Sequence, residues 1–138
     1  MLLEWTGHLA IDHAAIDTDH KRMISLIDSL YYMPDDEENL DEIEVMFCDL
    51  IDAMSDHFSR EEYLMLEAGY PKIDEHIDEH SCLLKTYAAH FYDRNSCDRI
   101  SRQRALTEIS TIIINHIKVF DRPLALYCKA NQATAECA

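Results

Sequence analysis

Met23, Ile24, Ile27, Leu30 and Tyr31 are separated by one, three, three and one residues, the spacing that lines one face of an α-helix. Asp17 or Thr18 stands where an N-cap is wanted, so a first helix is expected over about 18–33, after an irregular arm at 1–17. Pro34 and the acidic run Asp35–Glu38 break that helix. Those carboxylates suit the N-terminus of the next helix and need no ligand role. A second stripe, Ile43, Phe47, Leu50 and Met54, steps by four, three and four and runs on through His57 and Glu61, which predicts a helix over about 40–67. Gly69 falls where a helix end wants a left-handed residue, and Pro71 where a helix start tolerates proline. A sharp turn is expected there, then a helix over about 71–94 carrying Ile73, Ile77, Leu84, Tyr87 and Phe91. Asn95–Asp98 supplies the last break, and Ile109, Ile112, Ile113, Val119 and Phe120 mark a helix over about 98–122 or beyond, with Pro123 placed to kink or shorten it. Four amphipathic helices joined by short loops predict an all-α fold, an up-down-up-down four-helix bundle with an N-terminal arm, in one domain of 138 residues.

Composition narrows this picture. Only two Gly and three Pro occur, which disfavours turn-rich sandwiches and barrels and leaves a few long elements. At 48% hydrophobic residues the chain is too apolar for an acidic disordered segment. Its formal charge of −15 repels phosphate backbones and anionic membrane surfaces, so neither nucleic acid nor membrane is an expected partner. No apolar run approaches a membrane span, and Met1–Trp5 lacks the basic start and apolar stretch of a signal peptide. The five cysteines, Cys48, Cys82, Cys97, Cys128 and Cys137, are odd in number and form no CxxC pair, so reduced thiols and a cytoplasmic location are expected.

Several polar residues interrupt the apolar stripes. His57 with Glu61, and His76 with His80, are i, i+4 pairs, each facing one way from its helix like a two-pronged ligand set. Either pair alone is commonplace. In an antiparallel hairpin, however, residues equally far from the turn share a level. Counting ~1.5 Å per residue from Gly69 and Tyr70 puts Glu61 ~13 Å deep, between His76 at ~10 Å and His80 at ~16 Å. The same count across the next loop brings His116 level with His76, and His20 lies within about a turn of His57. Asp121 follows His116 by five residues, a rotation of ~140° in an ideal helix, so it reaches the same layer only through a tilt, a π-bulge or the helix end. Unpartnered burial would cost several kcal/mol for each such group, which leaves a hydrogen-bonded network or metal. Five imidazoles and two carboxylates exceed the four positions of a structural zinc site and suit a pair of iron ions.

The ordered series His20, HFSREE with His57 and Glu61, GYPKIDEHIDEH with His76 and His80, and HIKVFD with His116 and Asp121 resembles the hemerythrin family. The likeness spans nearly the whole chain. The arm with Trp5 and the lead-in Ile16-Asp17-Thr18-Asp19-His20 resemble single-domain bacterial hemerythrins in particular. The resemblance implies two iron ions joined by an oxo or hydroxo bridge. His76, His80 and His116 would hold one, His20 and His57 the other, with Glu61 and Asp121 bridging both. Six ligands then fill the first iron, and the second keeps a vacancy where dioxygen would bind reversibly, which makes the protein an oxygen carrier, store or local supplier to an oxygen-using partner. Ile113, one turn before His116, is a candidate lining residue for that pocket or ordinary core packing. Rival functions are a di-iron oxidase or peroxidase, a nitric-oxide-reactive enzyme, a stand-alone oxygen or redox sensor, and a structural zinc bundle. His8, His13 and His90 lie outside the seven and read as surface histidines; alternatively His13, with Asp12, Asp17 or Asp19, approaches the open iron.

Overall fold

In the computed structural model residues 5, 7, 9–34, 36–92 and 98–137 are described, those at 91, 92 and 132–137 by backbone alone. Helix α1 is Ala14–Tyr32, α2 Leu40–Ala68 behind a 3-10 turn at Glu37–Asn39, α3 Ile73–Tyr92 and α4 Arg99–His116. A π turn at Ile117–Asp121 joins α4 to α5, Arg122–Cys137. No strand occurs among the described residues. The breaks expected at Asp35 and at Asn95–Cys97 lie outside them, as do His8 and Cys97.

The start of α1 corrects the expectation of a cap at Asp17 or Thr18. Its N-cap is His13, whose ring accepts a hydrogen bond from the Ile16 N–H at 3.4 Å. The two better capping side chains are engaged elsewhere. Asp17 Oδ1 accepts the Ile11 N–H at 3.0 Å and so ties the arm to the helix, while Thr18 Oγ1 donates to the Ala14 carbonyl at 2.8 Å. Gly69, at φ 63°, ends α2 with the Gly69 N–H on the Leu66 carbonyl and the Tyr70 N–H on that of Met65. This paired capping needs a left-handed residue, which glycine supplies without strain. Pro123 does not end the last helix. It lies in the first turn of α5, just past the π turn, where a missing N–H costs little.

Helix α1 packs on α2 and α4, and α3 on the same two, so the four run in sequence around a ring with antiparallel neighbours. Most of the core is one apolar cluster that includes Ile27, Leu30, Leu50, Met54, Leu83, Ile109 and Ile113. A smaller cluster of Met65, Tyr70 and Leu124 sits at the α2–α3 turn, with α5 lying over it. Arg102, buried in α4, donates through Nε to the Leu30 carbonyl at 3.0 Å and through Nη2 to that of Met33, closing the end of α1. Neighbouring Gln103 donates to the Tyr31 carbonyl at 3.0 Å. Between the two apolar clusters lies a layer of buried polar side chains.

Candidate metal centre

His20 comes to this layer from α1, His57 and Glu61 from α2, His76 and His80 from α3, His116 from the end of α4 and Asp121 from the π turn, and every one is at most 2% exposed. Regular α-helix would aim Asp121 away. Instead the Arg122 N–H bonds the Ile117 carbonyl five residues back, so groups five apart stand above one another. Asp121 Oδ1 accordingly lies 2.9 Å from His116 Nε2.

Each carboxylate divides its two oxygens between two sets of imidazoles. Asp121 Oδ2 lies 2.9 Å from His20 Nε2 and 4.0 Å from His57 Nε2, whereas Oδ1 faces His76 Nε2 at 3.1 Å and His116. Glu61 does likewise: Oε1 contacts His57 Nε2, and Oε2 lies 3.1 Å from His76 Nε2 and 3.8 Å from His80 Nε2. Two groups of candidate donor atoms result, each drawn together within 4.8 Å. One joins Glu61 and Asp121 to His76, His80 and His116, and the other joins the same carboxylates to His20 and His57.

Outward-facing nitrogens are held by residues that sequence reasoning either missed or read differently. His57 Nδ1 lies 3.0 Å from Asp19 Oδ2, and Arg60 grips that carboxylate with Nε at 2.8 Å and Nη2 at 2.6 Å. His80 Nδ1 is likewise 3.2 Å from Glu62, whereas His116 Nδ1 has Glu79 only as an ion-pair neighbour at 3.8 Å and no hydrogen bond. An acid adjacent in sequence to one candidate donor residue but supporting another, as Asp19 beside His20 supports His57, gives a signal only once the helix rotations are known. Asp12 pairs instead with Lys129 at 2.6 Å, so neither it nor the cap His13 enters either donor group. His90 pairs with Glu108 at 2.9 Å. Phe58 stacks on His80 with centroids 4.1 Å apart, and Phe120 on His116 at 5.4 Å, fixing both rings. Ile113 is buried and lines a small cavity one turn from His116.

Protonation divides the histidines. Burial opposes charge on His57, but hydrogen bonds and attraction from Asp121 and Glu61 outweigh it and raise its pKa to about 10. His76 is raised to about 9 against the same burial cost and by the same two carboxylates. His80 goes the other way, to about 2, through burial and then the positive charge of His76 and His116. Asp121 is buried, which alone would raise it, yet its histidine partners hold it well below the ordinary carboxylate range. His57 and His76, held protonated by the carboxylates, thus offset part of the layer's negative charge when metal is absent. The compensation is incomplete: His20 Nδ1, His76 Nδ1 and His80 Nε2 are buried without a hydrogen-bond partner, and the Glu61 oxygens have only the ion-pair contacts given above. Buried donor atoms left open in this number are what a pair of cations would satisfy, so the residues present fit metal.

A four-helix bundle with a buried layer of histidines and carboxylates between its helices defines a class of metal-binding proteins, and the chain belongs to one family of it, the hemerythrins. The hemerythrin HHE cation-binding domain matches residues 12–124. The chain is 31% identical over 130 residues to the bacteriohemerythrin of Stenotrophomonas maltophilia (strain R551-3), covering 94% of this chain and 84% of that protein. Among the described residues no helix is long and apolar enough to cross a membrane.

Proposed function

We propose that this protein binds dioxygen reversibly at a non-heme di-iron centre, as a carrier, store or local supplier. His76, His80 and His116 would hold one iron and His20 and His57 the other, with Glu61 and Asp121 shared between the two sets. The observation that carries this reading is the division of each carboxylate's oxygens, one toward each histidine set. The first set would supply three histidines and two carboxylates, and the second, with two histidines and the same carboxylates, one protein donor fewer. When bound, the iron pair supplies the electrons by which dioxygen is held and recovers them on release.

The chain's own residues do the rest. Asp19 and Glu62 take the outer N–H of His57 and His80, which fixes the tautomer that turns Nε2 inward. Phe58 and Phe120 lock ring orientation, and buried Met54, Leu83 and Ile113 line the centre with apolar groups that exclude water. The presence of five imidazoles and only two carboxylates supports binding over oxidation chemistry, since ferritin-like di-iron sites are richer in carboxylate.

The test is metal content together with a visible spectrum of iron-loaded protein. Two irons per chain, and an absorption band that rises in air and disappears on deoxygenation over repeated cycles, are expected. One zinc per chain, or irreversible bleaching in air, would reject the proposal.

A further inference from the structure

Among the described residues, α3 and α4 pack against each other least of the neighbouring helix pairs. A surface groove of about 1090 Å³ opens along their seam, floored by Ile43 and Phe47 and bordered by Ile100 and Ala105. Deeper in the same seam lies a cavity of about 10 Å³ walled by Met54, Leu83, Ile109 and Ile113. Thr86 and Ile112, both half-buried, line the groove and the cavity alike. Met54, Leu83 and Ile113 are each three residues from His57, His80 and His116, on the side facing away from the α2–α3 turn. The groove and the cavity therefore share one side-chain pair, and three walls of the cavity stand one helical turn along the chain from residues of the metal-capable layer.

We propose that this seam is the path by which dioxygen reaches the centre, with Thr86 and Ile112 as its neck; the inference rests on the dioxygen-binding reading above. A void of about 10 Å³ is at the lower limit for one water, and its walls offer few polar partners. Tyr87 turns its hydroxyl away, donating to the Phe47 carbonyl at 2.7 Å. Water and anions lose hydration in such a passage, whereas a small apolar diatomic loses almost none. Side-chain rotation at the neck, on the picosecond to nanosecond scale, is enough to widen it.

A neck alters the height of the barrier and not the depth of the site, so it changes association and dissociation by the same factor. Stopped-flow kinetics of iron-loaded protein should show Thr86→Phe slowing both rates about tenfold or more, an added barrier of ~1.4 kcal/mol. Ile112→Ala should speed both, with affinity unchanged in each variant. A second readout does not depend on oxygen binding at iron. In protein loaded with zinc, dissolved dioxygen, itself paramagnetic, should relax the methyl resonances of Met54, Leu83 and Ile113 more than those of Ile27 and Leu50, which are buried in the same apolar cluster away from the seam's cavity. Equal relaxation at both sets of methyls overturns the path, as does a variant that changes affinity or leaves both rates untouched. If iron-loaded protein fails to bind dioxygen at all, the functional reading falls, while the methyl relaxation still decides whether gas enters by the seam.

Discussion

The protonated state of the metal-free layer makes metal binding a proton exchange, and its size follows from the geometry. His57 and His76 are raised to about 10 and about 9 by Asp121 and Glu61, against the opposing effect of burial. A cation needs both as neutral imidazoles, so at pH 7 each must first give up a proton. Both protons are held by the same pair of carboxylates, so their release opposes binding more strongly the lower the pH. Apparent affinity for ferrous iron should therefore climb steeply with pH, by about 100-fold for each unit between 6.5 and 8. His80, lowered to about 2, carries no proton in that range and contributes nothing to the slope. Anaerobic calorimetry in buffers of different ionisation enthalpy counts the protons directly. About two per chain should come from the histidines at pH 7, beyond any lost by a bridging water. Release of fewer than one proton, or an affinity flat over this range, would refute the reasoning. The stability of the metal-free protein follows from the same groups with the opposite trend. A pKa raised in the folded state gives stability that is complete below the unfolded value of 6.5 and is lost as pH rises through about 9 to 10. The metal-free melting temperature should accordingly fall across that window, while the metal-loaded protein holds.

Three further outcomes follow from particular contacts. Asp19→Ala removes the group that fixes the His57 tautomer and should weaken metal binding about 10- to 100-fold by chelator competition, whereas Arg60→Ala, acting one step further out, should cost less. Deleting exposed Val119 from the π turn returns the segment to α-helix with Asp121 four residues after His116, on the same face, so two metals per chain should be retained; inserting one Ala after Val119 should abolish the second. Equal loss from deletion and insertion would show that helix rotation is not what aims Asp121. Arg102→Met takes the side-chain donor from the Leu30 carbonyl, which keeps only the Met33 N–H at 3.4 Å, and from the half-buried Met33 carbonyl, and should lower stability by about 1–3 kcal/mol in urea titration without changing metal stoichiometry.

Hemerythrin membership gives these details their setting, because the layer sits where four amphipathic stripes converge. Stripes of this kind are encoded by local spacing, and so are the i, i+4 pairs and the Gly69 turn that sets Glu61 level with His76 and His80. All of these are legible along the chain because each depends only on the geometry of one helix or one hairpin. Asp121 marks the boundary of that reach. Five residues after His116 it could join the layer in more than one way, and the π turn that brings it there is decided by how α4 and α5 pack over the two apolar clusters. The His13 cap, the closing of α1 by Arg102 and the support of His57 by Asp19 and Arg60 belong to the same kind. Each sets a residue of one element against another element or against the arm, at a distance fixed by helix rotation. So too does the division of each carboxylate between two histidine sets. Asp121 apart, sequence alone determined which side chains enter the layer, because helical periodicity is local; only the tertiary structure decided which oxygen faces which nitrogen, because that depends on the relative rotation of four helices.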